Sequence, residues 1–485
     1  MSSRVEARAA RESERLEVCK ADVCQADACE AGIETGVDIR RLEDQIDRLK
    51  SSLRVAVVFA GSKSTPGGVV YPSCNNRSWK SYEAVAEDIA ASLRRIGFRH
   101  VHVMPEDMRL GDRLRRDGVH MAWLNSGGVQ GFNSVAHAPA TLEMLGVPYI
   151  GHDPLSATTL DNKHAFKREA VCAGIPTAPF CTWNMARGPL QPGLNSRFER
   201  AFGAYDGPFV VKPVSGRASL HVHVVEDRAG LPGMVAEVHR ATQNLVMIEK
   251  YLPGREYCIA VAGPITSRNR RLNQGRHPFA FAALERVLSP DEKIFTSMDF
   301  KPITEDRFRS LDAHRDAKPL ARMRQLAREV FLEFSLGALI RLDIRADEHG
   351  ELYVLEANPK PDLKRPEAGV TNLISAGLPE CGMDYDDLIL SLFADRLHFL
   401  FTHRREGMQH ILRLAEPVAR NGSGEAAGRA SAGADKIGQA VAALNEAVAE
   451  LNVRALDATL DRTREAQSVP EPAAPTATST GHQAA

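Results

Sequence analysis

The chain has 485 residues, of which 44% are hydrophobic, and a formal net charge of −1 at pH 7. This length and apolar content suffice for two or three packed domains, and the balanced charge gives no sign of a nucleic-acid partner. No apolar run approaches the roughly 20 residues that span a bilayer, and residues 1–18 lack the apolar segment of a secretory signal, so we expect a cytoplasmic protein that does not bind membranes.

The first 52 residues are rich in Arg, Glu, Asp and Ala. This composition predicts a charged N-terminal extension outside the core, with one short helix over residues 38–51. Three of the eight cysteines, Cys19, Cys24 and Cys29, recur in this extension every five residues, which suits metal binding poorly. Because the sequence has no CxxC pair, we expect its thiols to be reduced.

Residues 53–152 are predicted to form an N-terminal α/β domain. Apolar runs at 53–59, 100–104 and 120–124 read as buried strands, and a helix is expected over residues 82–96. Strands that alternate with helices favour a parallel, doubly wound sheet.

Residues 153–400 have a mixed pattern that favours an α+β arrangement with a large antiparallel sheet. Strands are expected over residues 207–213, 245–251 and 256–263, and an amphipathic helix over residues 317–334.

The most informative segment is residues 339–363, where two strand-like runs flank a polar turn. Strands over residues 339–346 and 352–357, with a two-residue turn at 349–350, would form a hairpin. Because side chains two apart share a face of a strand, one face then carries four polar groups, Arg341, Asp343, Glu356 and Asn358. The opposite face would point into the core with Leu342, Ile344, Leu355 and Ala357.

In this hairpin Asp343 lies opposite Glu356, and like charges directly opposite each other destabilise a sheet. A hard divalent cation bound through oxygens, Mg²⁺ with Mn²⁺ as the alternative ion, would compensate the pair. A surface hairpin whose acids are solvated, or paired with Arg341 and Arg345, fits the same pattern. A bulge would also shift the register.

Two lysines and one interstrand crossing are typical of a nucleotide site. Lys212 ends an apolar strand immediately before Pro213, which holds a cation at a sheet edge and suits a phosphate contact. Lys163 begins a helix and can reach the same anion, although an exposed helix charge has the same pattern. The crossing at residues 252–255 can offer backbone groups to a purine and Glu256 to a ribose hydroxyl, or it is an ordinary connection.

Four segments resemble, in order and spacing, the ATP-grasp superfamily and more closely the D-alanine:D-alanine ligase type of carboxylate-amine ligase. They are residues 139–180, 207–213, 245–261 and 341–363, within a resemblance that covers roughly residues 53–393. The resemblance implies an ATP-grasp fold: an N-terminal doubly wound α/β domain, an ATP-grasp domain of two α+β subdomains over residues 153–400, and flexible terminal extensions.

The resemblance also implies roles for individual residues. Lys163 and Lys212 would contact ATP phosphates with Ser219, Glu249 and its neighbouring backbone would meet the adenine, and Glu256 would bind the ribose. Asp343, Glu356 and Asn358 would hold Mg²⁺. Arg341 would act with Lys212 in catalysis and stabilise the acyl-phosphate stage and the tetrahedral species after it.

The loop over residues 214–221 departs from the family, which usually has Gly and Ser there. Arg217 and His221 stand where small residues are expected, so they either block the approach of a phosphate or supply a replacement cation.

The substrate side departs as well. Residues 61–83 lack the compact acid-containing segment that in D-alanine ligases holds the first substrate's amino group; Glu83 could replace it or simply lie on a helix surface. After Asn358, Lys364 or Arg365 could bind an acceptor carboxylate or be solvated. We infer that the substrates are not two D-alanines.

Residues 401–485 are predicted to form a C-terminal extension with a disordered tail. Its one amphipathic helix has apolar residues spaced by four and three, over residues 437–451, which favours a homo-oligomer or partner contact. Docking on the chain's own core, or a free helix, fits equally well.

The sequence thus predicts an ATP- and Mg²⁺-dependent ligase that joins a small-molecule carboxylate, such as an amino acid, to an amine. The alternative is a catalytically degenerate nucleotide-binding or scaffolding protein that kept the fold, which the altered loop around Arg217 favours.

Overall fold

The computed structural model describes residues 38–290, 292–295, 301–312, 314–367 and 369–416 of the chain. The predicted helix at 437–451, the tail after it and the three N-terminal cysteines lie outside the described residues. Within the part that is described, no helix combines the length and apolarity that crossing a bilayer requires.

The first helix, α1 (Ile39–Ser52), packs on the core instead of extending away from it. Its buried residues Leu42, Ile46 and Leu49 are spaced by four and three, so they form one apolar stripe. The prediction that the first 52 residues lie outside the core is therefore wrong for this helix. Its many charged residues mask a stripe of only three apolar positions.

A parallel four-stranded sheet follows, in the order β2-β1-β3-β4. Helix α2 covers one face through Val55 and Val57, while α3 and α4 cover the other through Ala56 and Val58, as expected for a parallel sheet buried on both sides. This confirms the predicted doubly wound layer. Its elements are β1 (Arg54–Ala60), α2 (Glu83–Ile96), β2 (His100–Glu106), α3 (Leu110–Arg116), β3 (Met121–Asn125), α4 (His137–Met144) and β4 (Tyr149–Ile150).

Helices α5 (Pro154–Asp161) and α6 (Lys163–Cys172) lead into an antiparallel sheet with the order β5-β8-β6-β7. Apolar residues that include Phe198 and Phe209 fill the core between this sheet and the helices at residues 196–202 and 231–242. The elements are β5 (Phe180–Trp183), α7 (Ser196–Phe202), β6 (Phe209–Pro213), β7 (His223–Val225), α8 (Leu231–Thr242) and β8 (Val246–Lys250).

A larger antiparallel sheet has the order β14-β13-β9-β15-β16, with β12 beside β9. The long helix α9 packs on it through Met323 and Val330, against Ile340 and Leu342 of β15. The elements are β9 (Glu256–Ala262), the separate ribbon β10 (Ile265–Arg268) and β11 (Arg271–Gln274), β12 (Phe279–Ala280), β13 (Leu284–Arg286), β14 (Phe308–Ser310), α9 (Ala317–Glu333), β15 (Ile340–Ala346) and β16 (Leu352–Asn358).

Two helices close the described part of the chain, α10 (Tyr385–His403) and α11 (Gln409–Ala415). Both contribute to the core that contains α1 and α2, and Ile411 of α11 is fully buried. The predicted domain boundary at residue 400 therefore falls within a helix. Short 3₁₀ turns lie at Ser134–Ala136, Met185–Arg187, Pro192–Leu194, Glu305–Arg307, Ser375–Gly377, Pro379–Cys381 and Arg405–Met408.

Candidate active site

The hairpin of β15 and β16 carries the polar face that the sequence predicts. Asp343 pairs with Glu356, and Arg341 pairs with Asn358. All four side chains line one cavity. A second cavity next to it shares Asp343 and Glu356 and extends between β8 and β9.

This register arises from two irregularities that the sequence pattern does not show. Next to the turn, Ala346 pairs with Leu352, so residues 347–351 form the loop in place of the predicted two-residue turn. A bulge between the Asp343 and Ile344 pairs then restores the predicted register at the site.

Leu355 is the extra residue of that bulge, because Val354 pairs with Ile344 and Glu356 with Asp343. Leu355 consequently lines the second cavity, and Val354 lies in the core with Ile344. The prediction that Leu355 is a core residue is wrong for this reason.

Asp343 is held between two arginines. Arg341, two residues earlier on the same strand, donates to it from Nε at 2.9 Å and from Nη2 at 3.1 Å. Arg286 of β13 approaches it at 2.8 Å from the other side. Burial alone would raise the pKa of Asp343, but the two guanidinium groups lower it to about 2, so this carboxylate stays ionised.

Glu356 forms an ion pair with Lys163, whose Nζ lies 2.9 Å from Oε2. Burial lowers the pKa of Lys163, but Glu356 outweighs it and the pKa is raised, so the lysine is protonated. The predicted phosphate lysine and the predicted metal carboxylate are thus direct neighbours. The third predicted metal ligand, Asn358, accepts a hydrogen bond at Oδ1 from the backbone N–H of Lys360 at 3.0 Å.

The carboxylate of Glu249 lies between two lysines. It is 2% exposed, contacts Lys212 on one side and lies 2.7 Å from Nζ of Lys167 on the other. Burial by itself raises the pKa of Glu249, yet the two ammonium groups lower it overall. This carboxylate therefore holds Lys212 in place, and what remains for an adenine is the backbone and side chains of the residues after it.

Glu256 is also bound by two cations. Arg286 lies 2.8 Å from one carboxylate oxygen and Arg345 lies 3.2 Å from the other. The structure thus places Glu256 in the second cavity with both oxygens engaged. Arg286 bridges Glu256 to Asp343, which links the predicted ribose position to the predicted metal position.

Sequence reasoning missed Lys167, Arg286 and the contact of Arg345 with Glu256. Lys167 lies one helical turn after Lys163 on α6, so it faces the same side, and that spacing is a usable signal. The two arginines come from strands that are distant along the chain, and their partners could not be read from local spacing.

Residues 216–219, within the loop over residues 214–221, still line both cavities despite the substitutions in this loop. Ser215 donates to Asp161 at 2.7 Å, and Arg217 donates to the carbonyl of Ser78 at 3.1 Å. Ala218 and Ser219 have positive φ angles of 55° and 57°, a conformation that L residues rarely adopt. Ser219 is exposed at the mouth of both cavities.

The donor set at the hairpin fits a hard divalent cation. Carboxylate and amide oxygens are the ligands that Mg²⁺ accepts, usually one or two carboxylates together with phosphate oxygens. Among the described residues, no three His, Cys, Asp or Glu side chains cluster as a metal site. A cation between Asp343 and Glu356 would therefore need the Asn358 amide and nucleotide oxygens to complete its shell.

The other end of the first cavity is lined by residues of the N-terminal loop. Arg77, Lys80 and Tyr82 lie there together with Lys360, which follows the hairpin. The sequence analysis assigned no role to these four residues. Glu83, the candidate acid of this loop, is exposed and does not line the cavity.

Comparison with known proteins adds independent findings. Residues 171–394 match the family model described as D-ala D-ala ligase C-terminus. The chain is 27% identical over 251 residues to the uncharacterized protein y4sG of Sinorhizobium fredii, covering 52% of this chain and 68% of the relative. It is 24% identical over 346 residues to a D-alanine–D-alanine ligase of a Synechococcus strain, covering 70% and 92%.

The fold has solved counterparts. A D-alanine–D-alanine ligase of Bacillus anthracis complexed with ATP superimposes with a TM-score of 0.50 at 18% identity, covering 73% of this chain and 99% of that structure. The mixed architecture described above is accordingly the ATP-grasp fold. Residues 171–394 are therefore similar in sequence to the C-terminal domain of D-Ala–D-Ala ligases, and the described part of the chain has the ATP-grasp fold.

Proposed function

We propose that the chain is an ATP- and Mg²⁺-dependent ligase that joins a small-molecule carboxylate to an amine through an acyl phosphate. The observation that carries the proposal is the juxtaposition of Lys163 and Glu356, 2.9 Å apart, where the two cavities meet. The proposed phosphate-binding Lys163, the proposed metal-binding Glu356 and Arg341 all line the first cavity.

The second cavity is the proposed nucleotide site. Lys212 and Lys163 line it, and their charges favour phosphates. Val210, Leu252 and Leu355 supply apolar walls that suit a purine. The backbone after Glu249, and not its engaged carboxylate, is the proposed adenine contact.

Glu256 can accept a hydrogen bond from a ribose hydroxyl while it remains bound to its two arginines, because each carboxylate oxygen has more than one lone pair. Ser219 at the loop is a proposed donor to the phosphates. Ala218 and Ser219 of this loop have positive φ angles, and backbone N–H groups in such turns can form an anion-binding concavity.

Asp343, Glu356 and Asn358 would hold Mg²⁺, or Mn²⁺, in this site. The ion would neutralise phosphate charge and orient the triphosphate for in-line transfer. On binding, Glu356 would exchange part of its contact with Lys163 for the cation, and the lysine would become available to a phosphate.

In the proposed reaction a carboxylate oxygen of the acid attacks the γ-phosphorus, and ADP leaves. The amine nitrogen then attacks the acyl carbon, the bond to the phosphate oxygen breaks, and inorganic phosphate departs as the nitrogen loses a proton. Arg341 lines the first cavity, where the acyl group is proposed to bind, and would stabilise the negative charge that develops on oxygen. Asp343 fixes the orientation of this guanidinium through two hydrogen bonds.

We infer that D-alanine is not the specific substrate, because the N-terminal loop and the segment after Asn358 depart from the D-alanine ligase pattern. A degenerate, non-catalytic protein is not favoured, since the chain retains the complete charged set around Glu356 and Asp343.

Phosphate release tests the proposal directly. Purified protein with Mg-ATP is incubated with pools of amino acids, other small acids and amines, and released phosphate is measured. We expect at least one pool to stimulate turnover, and Glu356→Gln to abolish it while the exposed Glu351→Gln on the same hairpin does not. Tight binding of Mg-ATP without stimulated release by any pool would overturn the proposal.

A further inference from the structure

The ammonium group of Lys360 has no role in the proposed nucleotide chemistry. Its Nζ is buried and has no hydrogen-bond partner. The side chain lines the first cavity and two smaller cavities beside it, so it lies where all three meet. A buried cation without a polar partner is unfavourable, which suggests that a ligand completes its surroundings.

Among the described residues, no carboxylate forms a hydrogen bond with the ammonium group of Lys360. Its Nζ lies 3.1 Å from the ring centroid of Tyr82, and Nζ of Lys80 lies 5.4 Å from the same centroid. Burial lowers the pKa of Lys360, and Arg77 and Lys80 lower it further, while Tyr82 and Asp362 act in the opposite direction.

Tyr82 is held in place by unusual backbone geometry. Its φ is 59°, a left-handed conformation at the residue that precedes helix α2, and its carbonyl accepts a hydrogen bond from Asn125 at 3.0 Å. Tyr82 is thereby fixed between two lysines at the wall of the cavity. Non-glycine residues with such angles cluster at ligand sites.

The acids at this end of the cavity are already engaged. Asp161 binds Arg77 at 2.7 Å and accepts a hydrogen bond from Ser215. Asp362 accepts the backbone N–H of Lys364 at 2.9 Å. Across the whole first cavity, seven lysine and arginine side chains line the wall together with four carboxylates. A substrate ammonium would therefore enter a region of excess positive charge.

We propose that Lys360, with Arg77 and Lys80 around Tyr82, forms a subsite for a second anionic group of the acid substrate. The substrate class is a small dicarboxylate, with one carboxylate at Arg341 for phosphorylation and the other at Lys360. This assignment rests on the proposed ligase function, but the binding of the second carboxylate does not require turnover.

Binding of matched acids tests the subsite. Calorimetry with the full chain and Mg-ADP compares succinate with butyrate and glutarate with valerate, because each pair has equal length and differs in one charged end. We expect at least one dicarboxylate to bind at least about tenfold more tightly than the monocarboxylate of equal length. D-alanine should bind no better than the monocarboxylates. Equal affinities within both pairs, or preferred binding of D-alanine, would overturn the subsite.

Variants assign the preference to Lys360. Lys360→Gln should remove the tenfold preference, Lys360→Arg should keep most of it because the cation is retained, and Lys318→Gln is the control. Lys318 is an exposed lysine on helix α9 that lines none of these cavities. An unchanged preference in Lys360→Gln would refute the role of this residue. If that variant does not fold, the comparison of acids in the unaltered chain still tests whether the subsite exists.

Phosphate release with the same acids separates this inference from the proposed function. Dicarboxylate binding that depends on Lys360 without any turnover would support the subsite and contradict the ligase. Turnover that is stimulated by monocarboxylates or D-alanine, and not by dicarboxylates, would support the ligase and contradict the subsite.

Discussion

Replacing Glu249 by Gln should destabilise the protein strongly, because the carboxylate is the buried counterion of two lysines. Glu249 is 2% exposed, Lys167 is fully buried and Lys212 is 6% exposed. Removing one partner of a buried ion pair typically costs about 3–5 kcal/mol, since it strands the opposite charge.

The free energy of unfolding is measured by urea denaturation followed by tryptophan fluorescence, at neutral pH. Glu249→Gln should lower it by about 3 kcal/mol or more. Glu226→Gln is the matched control, because Glu226 forms an exposed ion pair with Lys293 at 2.5 Å and its loss should leave the midpoint unchanged. Adding Lys167→Met to Glu249→Gln removes one stranded ammonium and should recover part of the lost stability.

The pH dependence has a defined sign. Because the folded pKa of Glu249 is lowered, its stabilisation is present above the unfolded carboxyl pKa, about 4.3, and is lost as the pH falls through the folded pKa. The difference between wild type and Glu249→Gln should therefore shrink in acid. A cost of less than about 1 kcal/mol at neutral pH would refute the counterion argument.

Three further predictions concern the site and the core. Glu356→Gln should lower phosphate release at least about 100-fold while the circular dichroism spectrum is retained; the predicted loss reflects the electrostatic terms that a positioned charge supplies to phosphoryl transfer. Leu355→Ala should raise the KM for ATP about threefold to thirtyfold with little loss of stability. Val354→Ala should lower the free energy of unfolding by about 1–2 kcal/mol and leave this KM unchanged. The reverse pattern would show that Leu355 is the core residue. Burial raises the pKa of Glu106 to about 7 although Ser126 donates to it. Its folded form therefore binds the proton more tightly, and stability falls as the pH rises from about 4.5 to 7. Relative to wild type, Glu106→Gln should gain up to about 3 kcal/mol of stability between pH 5 and pH 8, and no pH-dependent difference would contradict the raised pKa.

The sequence predicted those parts of the site whose geometry follows from the alternation of side chains between the two faces of a strand. Asp343 and Glu356 had to share a face because both strands alternate, and the structure pairs them. The same alternation misplaced Leu355, because a bulge adds one residue without any change in composition.

Long-range charge partners could not be predicted. Glu249 and Glu256 were expected to meet the nucleotide directly, but each is held by two cations from elements distant along the chain. A charged residue in a sequence has many partners available, and only the fold selects among them. Lys360 was passed over for the same reason: nothing in its local sequence shows that its ammonium group is buried against Tyr82.

The fold itself was predictable to the level of its layers. Parallel strands with both faces apolar, followed by antiparallel strands and one long amphipathic helix, indicated the two kinds of sheet that the structure contains. Helix α1 was misjudged since three buried positions among many charges carry little average signal. The contribution of α11 to the core was missed because this helix has only 7 residues, too few to show a clear apolar period.

Mass spectrometry of condensation products tests the central claim most directly. The protein is incubated with Mg-ATP and pairs of small acids and amines. We predict a product whose mass equals acid plus amine less one water, formed with one phosphate per product and absent in Glu356→Gln. No condensed product from any pair, with Mg-ATP bound, would contradict the assignment of this cleft as a ligase site.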